Sequence, residues 1–102
     1  MADFVEVAKT TDIPAGKAKV VEVQDKKIAI FHVDGRFYAI DDTCSHEDAS
    51  LAAGTVEGTE VMCPLHGARF DLRTGKNLSL PAVFPVQSYE LKIENDAIFI
   101  LV

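Results

Sequence analysis

"KIAIFHVDGRFYAI", residues 27–40, holds two runs of apolar, β-branched and aromatic residues on either side of Asp34-Gly35. Val, Ile, Phe and Tyr suit a pleated, half-buried surface. Asp-Gly supplies the positive φ angles that a two-residue hairpin turn demands. With that turn Val33 faces Arg36 and Phe31 faces Tyr38. Upstream, "FVEVA" (4–8) alternates with period two, and "KVVEV" (19–23) has the same β-rich composition. Downstream, "TEVMC" (59–63), then "RFDL" and "LRTGK" (69–76) with a turn at Thr74-Gly75, predict a second small hairpin. "VQSYELKI" (86–93), the turn "END" and "AIFILV" (97–102) predict a last one. No stretch sustains an apolar 3.6-residue period, although "HEDASLAA" (46–53) suits one short helical turn. The expected fold is therefore all-β, a sandwich or barrel of antiparallel strands.

The 102 residues suffice for one core, so residues 1–102 are expected to form a single domain. Residues 41–82 are richer in Gly, Asp, Thr and Pro and poorer in strand signal. They read as a loop-rich unit mounted on the β framework. Sixteen acidic against ten basic residues leave a net charge of −6, which argues against nucleic acid as a partner. The six-residue apolar end is too short to cross a bilayer, and "MADFVEVAKT" has no signal-peptide pattern. A cytoplasmic protein with reduced thiols, off the membrane, is the expectation.

The chain has only two cysteines, and each stands beside a histidine: Cys44-Ser45-His46 and Cys63-Pro64-Leu65-His66. Both pairs fall in the loop-rich unit. A short gap within a pair lets one loop offer two ligands to the same small volume. The sixteen residues between the pairs, with turn and strand signals in "GTVEGTEVM", let the chain run out and return. Zinc accepts two cysteines and two histidines, but finger spacing places the cysteines together and the histidines together. Here each loop carries one of each. Two such loops gripping a two-iron cluster lengthwise would give one iron both thiolates and the other both imidazoles. Zinc in the same ligands, or cysteines serving as small buried hydrophobes, are the plainer alternatives.

"CSH…CPLHG", followed by "ARFDLRTGK", closely resembles the Rieske motif, and the chain as a whole is similar to Rieske-type ferredoxins. The resemblance implies a [2Fe–2S] cluster, one per chain, with Cys44 and Cys63 on the inner iron and His46 and His66 on the outer one. Neutral imidazoles in place of thiolates remove negative charge, which makes the cluster easier to reduce than an all-cysteine one. A bound imidazole keeps a proton that ferric iron makes easier to lose, so reduction and protonation should couple at high enough pH. The high-potential respiratory relatives carry an extra loop disulfide, at positions matching Ala49 and Leu65. They also carry hydroxyl donors to the cluster sulfurs, at positions matching Ala68 and Phe70. This chain lacks all four, so its potential is expected at the low end of the Rieske range, roughly −150 mV. "LSLPAVFP" (78–85), with Pro81, resembles the family's third loop, which packs near the cluster; Gly67 permits a tight turn after His66, and Pro64 stiffens it.

The remaining residues narrow the function. His32, the third histidine, reads as a strand residue with a satisfied ring, so no second iron site of two histidines and a carboxylate can be built. No G-x-G-x-x-G fingerprint for a dinucleotide is present. The chain is therefore expected to be an electron-transfer protein and not an enzyme. The resemblance implies the ferredoxin component of an aromatic-ring dioxygenase system, with a flavoprotein reductase as donor and a terminal oxygenase as acceptor. The alternative is a small Rieske subunit of a nitrite reductase. A monomer with a small docking face suits a shuttle. Leu65, Glu47 and Asp48 are candidates for that face, and Arg69 has Asp71 as a possible ionic partner.

Overall fold

In the computed structural model, which describes residues 3–43, 49–64, 67–79 and 84–102, residues 27–40 lie in the middle layer. Strands are β1 (Phe4–Lys9), β2 (Ala18–Val23), β3 (Lys26–Val33), β4 (Arg36–Asp41), β5 (Thr55–Glu57), β6 (Glu60–Met62), β7 (Arg69–Asp71), β8 (Ser88–Tyr89), β9 (Leu91–Glu94) and β10 (Ala97–Leu101). They form three antiparallel sheets, in the orders β1-β10-β9, β2-β3-β4-β8 and β5-β6-β7. The sheets remain separate. Of the two architectures expected, the described residues form the layered one and no closed barrel.

Strand β3 explains the layering. Ile28, Ala29, Ile30 and Phe31 are all fully buried, although successive side chains of a strand point to opposite faces. Ile28 and Ile30 pack with Ala8, Ile13, Val21, Ile98 and Ile100, beneath the terminal sheet. Ala29 and Phe31 pack with Leu51, Val61, Cys63, Ala68 and Phe70, beneath the loop-rich unit. A strand covered on both faces has no polar face to show, hence the unbroken apolar run.

Tight turns fix the registers. Gln24-Asp25, Asp34-Gly35 and Asn95-Asp96 each have positive φ at both central residues, the geometry that matches the twist of the flanking strands. The register across Asp34-Gly35 pairs Val33 with Arg36 and Phe31 with Tyr38, as expected. The hairpin after "END" also forms, with Glu94 opposite Ala97. "VQSYELKI" is not one strand. Its Ser88–Tyr89 segment pairs with β4 and its Leu91–Glu94 segment with β10, so the chain crosses between two sheets at Glu90. The second small hairpin is partial. Asp71 bonds back from its N–H to the Lys76 carbonyl (2.9 Å), but strand pairing ends at an isolated Phe70–Asn77 bridge. Gly75 closes this turn at φ +79°, and any Cβ there would collide with the Val86 carbonyl. A three-residue 3-10 turn, Leu51–Ala53, is the helical piece of 46–53 that falls among the described residues. No helix among them is long and apolar enough to cross a membrane.

Tyr89 ties β8 to β4: its hydroxyl donates to Asp41 Oδ1 (2.6 Å), while Asp41 Oδ2 accepts the Gln87 N–H (3.1 Å). Burial, and then the Asp41 carboxylate, raise the phenol above its usual value of 10.0. The protonated phenol is thus the favoured form in the folded state, so its contribution is complete below about pH 10 and is lost as pH rises further. Tyr89→Phe should flatten the fall in stability above pH 10 relative to the parent chain, as read by denaturant midpoints across that range. Ile30→Ala empties a fully buried site and should cost about 2–5 kcal/mol of unfolding free energy in chemical denaturation.

Candidate metal centre

The first Cys/His pair lies on the connection from β4 to β5. Cys44 and His46, with Glu47 and Asp48, lie outside the described residues, but both ends of their loop are described. Thr43 and Ser50 form an isolated antiparallel bridge. Just before it, the Asp42 carbonyl accepts the Leu51 N–H (2.6 Å) and the Asp42 N–H donates to the Lys27 carbonyl (2.9 Å). One oxygen of the Asp42 side chain, Oδ1, accepts both the Ser50 hydroxyl (2.7 Å) and the Ala52 N–H (3.0 Å). Asp42 is 5% exposed and is the sole charged side chain buried among the described residues. A carboxylate is retained at such depth because polar donors replace its water.

The second pair lies between β6 and β7. Cys63 is a free thiol, 1% exposed. Its N–H donates to the Ala68 carbonyl (2.7 Å), and its carbonyl accepts the Gly67 N–H (3.2 Å). The two bonds tie Cys63 to Gly67 and Ala68 on the far side of Leu65 and His66, which lie outside the described residues. Gly67 sits at φ +75°, a backbone conformation that costs glycine little. Gly54, before β5, has a different reason: a Cβ there would strike the Met62 carbonyl. Ala68 and Phe70, the positions that carry hydroxyl donors in high-potential relatives, are both fully buried in one cluster with Cys63 and Leu51. The loops of the two pairs thus share a single core.

The third loop is fastened to the second. Arg69 donates its N–H to Ser79 Oγ (3.0 Å), and its carbonyl accepts the Leu78 N–H (2.8 Å). Leu78 and Phe84 are exposed at the two sides of this loop, with Pro81 outside the described residues. The Arg69 guanidinium faces Glu60 (3.7 Å) and not Asp71. Asp71 is taken by Arg73 (3.1 Å), whose side-chain hydrogen bonds hold the Asp71 carboxyl below its usual range. His32 is the satisfied strand residue expected. Its Nδ1 lies 2.8 Å from the Ile13 carbonyl, and its ring stacks on Phe37 at 4.1 Å.

The donor set suits an iron–sulfur cluster. Cys63 is buried yet has no sulfur partner among the described residues, and its backbone is already paired, which leaves its sulfur as the group available to a cluster. Asp42, Ser50 and Ser79 escaped the sequence reading. Each hydrogen-bonds the backbone or side chain of another loop residue, and short polar residues in loops are too common to signal that.

Comparison with known proteins agrees. Residues 3–90 match the family described as the Rieske [2Fe-2S] domain. The ferredoxin component of the naphthalene 1,2-dioxygenase/salicylate 5-hydroxylase systems of Ralstonia sp. is 42% identical over 93 residues, 91% of this chain and 89% of that one. The 3-phenylpropionate/cinnamic acid dioxygenase ferredoxin subunit of Photorhabdus laumondii is 45% identical over 97 residues, 94% of this chain and 91% of that one. The solved structure of the ferredoxin of carbazole 1,9a-dioxygenase from Nocardioides aromaticivorans superposes with a TM-score of 0.90 at 32% identity, covering 95% of each chain. This chain belongs to the Rieske [2Fe-2S] domain family, and its cofactor is a Rieske-type [2Fe–2S] cluster.

Proposed function

We propose that this protein is the ferredoxin component of an aromatic-ring dioxygenase system. It takes single electrons from an NAD(P)H-dependent flavoprotein reductase and passes them to a terminal oxygenase. The observation that carries the reading is the mixed pair of proposed ligand loops, one of them rooted in a buried Cys63 with no sulfur partner among the described residues, in a chain whose relatives at 42% and 45% identity are both dioxygenase ferredoxins. Those relatives also favour it over the small-subunit role in a nitrite reductase. The substrate of the system is chosen by the oxygenase and leaves no mark on this chain.

The proposed ligands are Cys44 and Cys63 to the inner iron and His46 and His66 to the outer one. The bound cluster supplies a reversible one-electron couple. The chain's own contribution is to hold the four ligands and to keep water from the sulfur end. Leu51, Ala68 and Phe70 are fully buried around Cys63, so that end is dry, and the histidines provide the route outward. Ala68 and Phe70 also offer no hydroxyl to a cluster sulfur. Donors there would stabilise the extra electron of the reduced state, which supports a potential at the low end of the family range, roughly −150 mV. The whole chain, 1–102, works in this reading as one domain, with 41–82 as its cluster-binding unit, and as a cytoplasmic monomer. An acidic balance of −6 suits docking on basic partner rims.

Iron and sulfide analysis of the purified chain should give two of each per chain with a red-brown visible spectrum; a colourless zinc protein would overturn the reading. Cys63→Ser should abolish that spectrum, because loss of one ligand removes the site and loosens the loops folded on it. A variant that keeps the full spectrum would exclude Cys63 as a ligand. Ala68→Ser should raise the midpoint potential in protein-film voltammetry, by placing a hydroxyl where this chain has a methyl group.

A further inference from the structure

Between Thr43 and Ala49 the chain carries two of the proposed ligands, Cys44 and His46, which lie outside the described residues. What the described residues contain is a clasp across the base of this segment. Asp42 precedes the loop and Ser50 and Ala52 follow it, and one carboxylate oxygen, Oδ1, receives the Ser50 hydroxyl at 2.7 Å and the Ala52 N–H at 3.0 Å. The Asp42 backbone adds the bond from Leu51 N–H to its carbonyl (2.6 Å). The side chain is 5% exposed, so these bonds compete little with water and hold their geometry more firmly than surface bonds do. The clasp itself is fixed at two further points. Its N–H is bonded to Lys27 at the start of β3 (2.9 Å), and Leu51, on the returning side, is fully buried against Phe31, Cys63 and Phe70. The reference frame for the first loop is therefore the central sheet and the core of the second loop at once.

We propose that Asp42 is a positioning residue for the cluster. Its buried carboxylate closes the base of the Cys44/His46 loop and so sets where that loop offers its thiolate and imidazole relative to Cys63 and His66. The inference rests on the ligand assignment made above. Groups of this kind, which orient a ligand without touching the metal, are worth roughly 10–100-fold in metal affinity or activity. Asp41, the neighbouring residue, is engaged elsewhere by Gln87 and Tyr89 and does not share the task.

The clasp can be separated from the charge by comparing Asp42→Asn with Asp42→Ala. Both remove the negative charge, but only Asn keeps an oxygen in the place of Oδ1. Purified holoproteins would be reduced with dithionite and challenged with a ferrous chelator, and the EPR spectrum of the reduced cluster recorded for each. The expected result is iron release about tenfold faster or more from the Ala variant than from the Asn variant, with displaced g-values in Ala and near-parental ones in Asn. Equal release rates and identical EPR spectra in the two variants would overturn the clasp. Should Asp42→Ala accumulate no holoprotein, Ser50→Ala decides, since it removes one donor and leaves the carboxylate. Faster release than the parent supports the proposal, and parental release with a parental spectrum overturns it. A parent chain without a [2Fe–2S] spectrum would bring down the ligand assignment and the clasp together, whereas equal variants of a normally coloured parent bring down the clasp alone.

Discussion

Phe31 packs into the same fully buried group as Leu51, Val61, Cys63, Ala68 and Phe70, and this contact turns a hairpin into a platform. Among its described residues the loop-rich unit has three-residue strands and one short 3-10 turn. So little regular structure cannot hold two ligand loops in place unaided. It gains its fixed shape by burying the roots of those loops against a strand that is itself held from the other side by Ile98 and Ile100. The apolar contact is non-directional, so it brings the loops to the sheet without setting their exact pose. Pose is left to directional bonds: Asp42 for the first loop, the Cys63–Ala68 and Cys63–Gly67 pairs for the second, and Arg69 with Ser79 and Leu78 for the third.

The end of β4 is where these two kinds of interaction meet. Asp41 and Asp42 are adjacent, so their side chains leave the strand in opposite directions. One takes hold of the chain as it leaves the third loop, through Gln87 and Tyr89. The other takes hold of the chain as it leaves the first, through Ser50 and Ala52. The first set of partners lies 46 and 48 residues along the chain and the second only 8 and 10, yet both are anchored to consecutive residues, one ending β4 and the other just past it.

Much of this was legible in the residues. The Asp34-Gly35 turn and its register follow from two positive φ angles that few residue pairs tolerate, and the mixed Cys/His pairs point to a two-iron centre because zinc fingers segregate their ligands. Other features were not. "VQSYELKI" carries one uninterrupted strand pattern, and nothing in its composition says that pairing partners change at Glu90, because the partners are set by which sheet edge lies nearby. Gln24-Asp25 makes a turn without glycine, which propensity alone does not favour. Asp42 looks like any loop acid until its burial is known. Arg69 had an acid two residues away, but Asp71 is captured by Arg73 through a local bidentate contact, and Arg69 turns across the sheet to Glu60. For the strand switch at Glu90, the burial of Asp42 and the turn of Arg69 to Glu60, the deciding term was tertiary proximity, which short-range patterns do not encode.

The crossing at Glu90 has a mechanical consequence. Because the chain passes from the central sheet into the terminal one within a single residue, with the Leu101 N–H bonded to the Glu90 carbonyl at 2.9 Å, there is no slack between the layers. The terminal sheet cannot peel away without pulling on Tyr89 and, through Gln87, on the exit of the third loop. Local opening of the terminal sheet would therefore be transmitted to the exit of the third loop, and the molecule should lose its structure in one cooperative step, with no partly open form in which the loop-rich unit stands apart from its scaffold.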